Sequence, residues 1–331
     1  MLGVKLAGLG KALPERIVTN TELEEQLGLR AGWIEKATGV RERRRAPIGS
    51  SSVTNGAIAA RQAIERARIT PNEIDLIIGA SSGPEQLIPC TAALLQRELD
   101  LPEGNSACFD VNATCLSFLV ALHVAAPLVA SGAYRAALLV SSELSGLSLC
   151  YDEPESATLL GDGAAAAVLL PTPAGESSAL RHVRLMTFAA SGAELTRFQG
   201  GGSRRHPNDP ATTPAMNRFE MQGPGVFRLA SRHFPPFLAS FLEEAQTPPD
   251  AIDLIVPHQA SGHGVYGMAA RTKMPEEKLF VNLPERGNCI AASLPLALCE
   301  AWETERLQRG QTVLLAGTGA GLTLGAGLLT F

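Results

Sequence analysis

Cys115 has the setting that most favours chemistry. It follows the strand-like run ACFDV (Ala107 to Val111) and a short turn, and it opens the apolar helical run LSFLVALHVAA. A thiol at a helix N-terminus feels the positive end of the helix dipole, which favours the thiolate. A thiolate is a strong acyl acceptor. A buried structural cysteine is the other reading of a lone Cys. His258, in VPHQAS, directly follows a second strand-like segment. A strand-end histidine can donate a hydrogen bond to a thioester or activate a neighbouring group, or it can be a hydrogen-bonded loop residue. Asn288, in RGNCIAAS, sits in a turn, where asparagine is common for local reasons. The segment Gly317-Thr-Gly-Ala-Gly321 lacks the Lys-Ser/Thr of a phosphate loop and the helix and acid of a dinucleotide signature. It reads as a tight turn whose backbone N–H groups can form part of an oxyanion hole. Gly161-Asp162-Gly163 reads as a structural turn rather than a metal ligand, and no metal site is expected. The run Arg41-Glu-Arg-Arg-Arg45 reads as a basic patch, either a solvated face or a contact for an acidic or phosphate-bearing carrier.

These residues need elements to position them. PNEIDLII (from Pro71) and PDAIDLIV (from Pro249) read almost alike, an offset of 178. The same shift lays Ser131-Gly132 on Arg309-Gly310, each ahead of an apolar run, and Cys115 on Ser293. The period is too long for a solenoid and predicts two duplicated halves. Each half has an amphipathic helix (Thr54 to Ala67; Phe227 to Glu244) and a short apolar strand (Leu76 to Ala80; Leu254 to Pro257). A small-residue helix from Cys115 or Ser293 follows. Next comes a strand buried on both faces (Ala136 to Ser141; Thr312 to Ala316) and a glycine-rich closing strand. The alternation predicts α/β layers. The expected division is 1–175, carrying the nucleophile, and 176–331, carrying His258 and Asn288. The polar stretch Gly192 to Pro214 is the expected connector. A pseudo-twofold relation would bring the three residues to one centre.

The bulk composition agrees with a large core: 331 residues, 45% hydrophobic and 18% charged. The net charge of -5, without a basic tail, argues against nucleic acid as the main partner. No uncharged apolar run reaches about 18 residues, so no membrane span is expected. No signal peptide is read at the N-terminus. Six cysteines without a CxxC pair suit reduced thiols in the cytoplasm.

Together the motifs resemble the thiolase superfamily, and most closely its ketoacyl synthase III branch. TGVRERR (from Thr38), NATCLSF around Cys115, LGDGAAAAV (from Leu160), VPHQAS, RGNCIAAS and the C-terminal glycine turn appear in family order, nearly end to end. The resemblance implies a five-layered αβαβα thiolase fold, a homodimer and a Cys-His-Asn triad of Cys115, His258 and Asn288. It implies an acyl group on Cys115 that condenses with a malonyl thioester with loss of CO₂. It also implies an oxyanion hole from the backbone N–H of Cys115 and of Ala320, and no cofactor. The donor would be an acyl-CoA or an acyl carrier protein. Donor or carrier contacts map to Trp33, Ile88, Gly223, Arg228, Ser261 and Arg271. Trp33 matches the family's adenine-stacking residue, and Ile88 falls near its dimer-contributed phenylalanine. Several nucleotide or pantetheine contacts are replaced: Ala37, Pro154, Pro224, His263 and Ala270 stand where the family has arginine, asparagine or positive side chains. Losing charge-assisted phosphate contacts weakens coenzyme A binding. That points to a specialised fatty-acid or polyketide member. A ketosynthase-like acyltransferase without decarboxylation and a non-catalytic partner subunit are the competing functions.

Overall fold

The computed structural model describes residues 1–331, the side chain of Leu147 excepted. Two sheets hold the molecule together. The first runs, in spatial order, Val4–Ala12, Gly163–Pro171, Ala137–Glu143, Leu76–Gly79, Ala107–Asp110. The second runs Leu254–Pro257, Thr312–Gly319, Gly321–Thr330, Ala179–Phe188. Successive strand residues point to opposite faces, so a strand covered on both sides reads apolar throughout. Leu76 and Ile78 enter one core and Ile77 another; Leu139 faces one way, Leu138 and Val140 the other.

The cores define the layers. Helices Ser117–Ala130 and Ser293–Glu303 lie in the core shared by both sheets, between Leu76 and Leu139 on one side and Val256 and Leu315 on the other. Helices Ser52–Ala67 and Thr91–Glu98 cover the outer face of the first sheet. Helices Gly223–Glu244 and Gly262–Thr272 cover that of the second. The order is helix, sheet, helix, sheet, helix.

The internal repeat is visible in backbone angles. Arg68 (φ 58) recurs as Gln246 (φ 48), and Gly132 (φ 77) as Gly310 (φ 86), both at the offset of 178. At the Cys115 turn the offset is 176: the left-handed residues there are Thr114 (φ 52) and Ile290 (φ 48). Ser117 and Ser293 each open the helix that follows. Cys115 therefore corresponds to Ala291, and the expected match with Ser293 is corrected. The second half has two residues fewer between its first strand and this turn, which slips the register.

Two other expectations change. The sheets are joined across 172–178, between Gly163–Pro171 and Ala179–Phe188. Gly192 to Pro214 is instead a surface excursion ahead of helix Gly223–Glu244, where polar Gly/Pro-rich chain is tolerated. The Arg41–Arg45 run is a solvated patch only in part: Arg41 is exposed, but two of the run's arginines are buried. Glu42–Arg45 is a strand paired with Arg16–Thr19, and its alternation sends Arg43 and Arg45 inward. Arg43 donates to the carbonyls of Val18 (3.2 Å) and Thr158 (2.7 Å), and burial lowers its pKa to about 10. Arg45 pairs with buried Asp162 at 3.2 Å. Asp162 also accepts from the N–H of Ala46 and of Ser145, so this acid braces a turn. No helix among the described residues is long and apolar enough to cross a membrane.

Candidate active site

Each site residue stands on a turn locked by its own hydrogen bonds. Asn112 Oδ1 accepts from the Thr114 N–H at 2.9 Å, and Ser117 Oγ accepts from the Ala113 N–H at 3.0 Å. These bonds hold Thr114 in its left-handed conformation, which is unfavourable for a β-branched residue without support. Cys115 follows in a single 3₁₀ turn, anchored by fully buried Leu116 and Phe118. The twin turn repeats the device: Asn288 Oδ1 accepts from the Ile290 N–H at 2.8 Å. Asn288 Nδ2 donates to the Ala260 carbonyl at 3.2 Å. An amide carries two N–H donors, so one remains for a ligand.

His258 follows strand Leu254–Pro257. Its backbone N–H donates to the Ala316 carbonyl (2.8 Å), and its carbonyl accepts from the Ala260 N–H (2.8 Å). The side chain is 4% exposed, and its Nδ1 has no hydrogen-bond partner among the described residues. Burial lowers its pKa to about 4. The ring is therefore neutral near pH 7, with one N–H donor and one bare acceptor nitrogen.

The glycine turn explains how these groups approach. A Cβ on Gly317 would collide with the His258 Cβ. A Cβ on Gly319 would lie 2.7 Å from Thr114 Oγ1 and 3.0 Å from the Ala113 carbonyl. So Gly317 makes room for the histidine and Gly319 for the cysteine turn. Between them and the strand Gly321–Thr330 lies Ala320, whose N–H points at the Cys115 sulfur, as does the N–H of Cys115 itself. The contacts close into a ring. The Cys115 turn meets Gly319; Gly317 meets His258; Ala260, two residues on, meets Asn288. The Asn288 turn packs back on the Cys115 turn. Cys115, His258 and Asn288 are thus brought together.

The thiol is not the pre-formed thiolate that a helix dipole alone would give. Burial is the largest influence and the Glu143 carboxylate the next; together they push Cys115 up to about 12 against the opposing N–H bonds. Glu143 was not singled out from the sequence. It ends the apolar strand Ala137–Glu143, and a lone acid closing such a run is the signal that marks it. Its carboxylate accepts from the Ser82 N–H (2.6 Å) and Oγ (2.7 Å) and from the Ala291 N–H. Burial raises its pKa to about 7.

A cavity of about 700 Å³ leads to His258. Its lip includes Glu35 to Gly39, Gly223, Ser261 and His263. Ser261 also caps helix Gly262–Thr272, accepting from the Gly264 N–H at 3.0 Å. Trp33 opens the helix Trp33–Thr38 that forms one side of this lip, without lining the cavity itself. Arg228 is exposed and off the lining. Arg271 stacks on Phe227, a lining residue, 5.1 Å from its ring centroid. Ile88 is 86% exposed on the loop before helix Thr91–Glu98 and does not reach this chain's own cavity. No group of three His, Cys, Asp or Glu among the described residues is arranged to hold a metal.

Comparison with known proteins places this arrangement in context. Residues 109–188 match the family described as 3-Oxoacyl-[acyl-carrier-protein (ACP)] synthase III, and 242–331 match its C-terminal counterpart. The chain is 35% identical to the Beta-ketoacyl-[acyl-carrier-protein] synthase III of Rhizobium meliloti (strain 1021), over 99% of each chain. It resembles the crystal structure of 3-oxoacyl-[acyl-carrier-protein] synthase III from Aquifex aeolicus VF5, with 32% identity, TM-score 0.88, and 99% and 100% of the two chains covered. It also resembles a priming beta-ketosynthase from the R1128 polyketide biosynthetic pathway, with 28% identity, TM-score 0.88, and 99% and 96% covered.

Proposed function

Since this chain belongs to the 3-oxoacyl-[acyl-carrier-protein] synthase III family of thiolase-fold condensing acyltransferases, we propose that Cys115 carries the acyl group and that His258 and Asn288 drive its condensation. The closed ring of contacts joining Cys115, His258 and Asn288 through Gly317 and Gly319 carries this reading. The Cys115 thiol gives up its proton, which ends on the departing donor sulfur, so that His258 stays neutral and keeps its N–H. The sulfur attacks the donor's thioester carbon, and the donor thiol leaves. The backbone N–H groups of Cys115 and Ala320 hold the developing oxyanion. A malonyl thioester then loses CO₂, and the freed electron pair forms an enolate. N–H donors of His258 and Asn288 stabilise the enolate oxygen. The enolate attacks the acyl carbon, and the Cys115 sulfur leaves and takes up one proton from solvent, the proton that decarboxylative condensation consumes, to return to the thiol.

The donor is an acyl-CoA or an acyl carrier protein, and the role is a specialised one in fatty-acid or polyketide synthesis. The lip supports this: Ala37, Pro224 and His263 line it, without arginine. The chain divides into 1–175 and 176–331, works in the cytoplasm with free thiols, and pairs as a homodimer. Leu87 and Ile88, 74% and 86% exposed, suit that partner contact.

The test is Cys115→Ala given acyl donor and malonyl carrier. Loss of ketoacyl product and of the acyl adduct in intact-protein mass spectrometry is expected. Undiminished product overturns the reading. Release of labelled CO₂ separates condensation from simple acyl transfer.

A further inference from the structure

The cavity does not stop at His258. It continues between helices Gly223–Glu244 and Gly262–Thr272 and the outer face of the second sheet. Strand residues of one parity line it: Ile255 and Pro257 on one strand, Leu314 and Ala316 on its neighbour, as residues on one face of a sheet must. Apart from His258, the ionisable residues lining the cavity are Glu35, Lys36, Glu155, His263 and Tyr266, and all are exposed. The inner part is walled by Phe234, Leu238, Ala269 and Met274. One hydroxyl there, that of Thr272, already donates to the Met268 carbonyl at 2.7 Å. A polar ligand finds no free partner at that end.

The helix over this chamber is built thin. Gly264 and Gly267 lie within it and line the cavity. A helix-interior glycine costs about 1 kcal/mol relative to alanine. Side chains there would crowd Ser261 Oγ at 3.2 Å and the Phe227 ring at 3.3 Å. From His258 to the floor at Ile255 is three strand residues, roughly 10 Å. An extended chain advances roughly 1.2 Å per bond, so the depth matches about eight carbons.

We propose that this chamber binds an unbranched acyl chain of about eight carbons, which makes medium-chain thioesters the substrate class of the site. The proposal rests on the acyl-transfer reading above. The chain can arrive on the group loaded onto Cys115 or as a branch on the malonyl-type acceptor, and the chamber serves either.

Binding is tested without chemistry, in Cys115→Ala protein, by calorimetry with S-octyl-coenzyme A and S-ethyl-coenzyme A. Six extra buried methylenes predict at least about tenfold tighter binding of the octyl probe. Ala269→Phe fills the chamber and should abolish that preference. Ala230→Leu, a smaller change on the facing helix, should reduce it. Equal affinities, or a preference that survives both folded variants, overturn the proposal. Mass spectrometry after octanoyl-CoA and turnover of a hexylmalonyl thioester tell which substrate brings the chain. If Cys115 loads no thioester at all, the catalytic reading fails, while the calorimetry still judges the chamber.

Discussion

Burial sets the chemistry of the single residues. His258 has no charged partner raising its pKa, so desolvation alone moves it from 6.5 to about 4. The unfolded chain binds a proton on this residue below about pH 6.5, the native chain only near pH 4. Folded stability contributed by neutral His258 is therefore present above pH 6.5 and lost as pH falls towards 4. A shift of this size corresponds to about 3 kcal/mol. In His258→Asn, the fall in unfolding free energy between pH 7 and pH 4 should shrink by about that much, read by urea titration at both pH values. Cys115 moves the other way: the helix dipole alone favours a thiolate, whereas burial and the Glu143 carboxylate hold the thiol protonated. Desolvation and Glu143 were invisible in a linear chain, because Glu143 is brought near by folding and not by spacing.

At the scale of elements, the strands and long helices were legible because their apolar pattern is dictated by cover on both faces. Leu254–Pro257 appears as read, and the Cys115 helix was located by its composition. The register of the repeat was not legible at the turn. Two fewer residues in the second half shift Cys115 onto Ala291, and the paired left-handed residues Thr114 and Ile290, with Asn112 and Asn288 bonding to them, reveal it. The inward turn of Arg43 and Arg45 was hidden because a run of charges looks solvated until strand alternation is imposed. In sequence the glycine turn reads as an N–H donor, yet its spacing also records close approach by two other elements. Gly317→Ala should push His258 from its place and lower kcat by about a hundredfold or more, since a displacement near 1 Å has that effect. Steady-state kinetics on a variant with a native circular dichroism spectrum checks it; an unchanged kcat would remove Gly317 from the account.

Over the whole molecule, charge ties the first strand to the last helix. Glu300 is buried and accepts from Lys11 (3.1 Å), Arg286 (2.9 Å) and Asn282 (2.8 Å). Glu303 pairs with Lys11 (2.6 Å) and Arg66 (2.7 Å). Removing one member of a buried network leaves the others uncompensated, at about 3–5 kcal/mol. Glu300→Ala should lose stability of that order by urea unfolding. It should also lower activity, because Arg286 leads directly into the Asn288 turn. The second sheet has a further property of this kind. Gly321–Thr330 is an inner strand, hydrogen-bonded to Thr312–Gly319 on one side and Ala179–Phe188 on the other. On a ribosome, Phe188 is made 133 residues before Gly321. At about 5–20 residues per second, the nascent chain carries an unclosed strand edge for about 7 to 27 seconds. Throughout that interval it depends on chaperones or on speed to escape pairing with its neighbours.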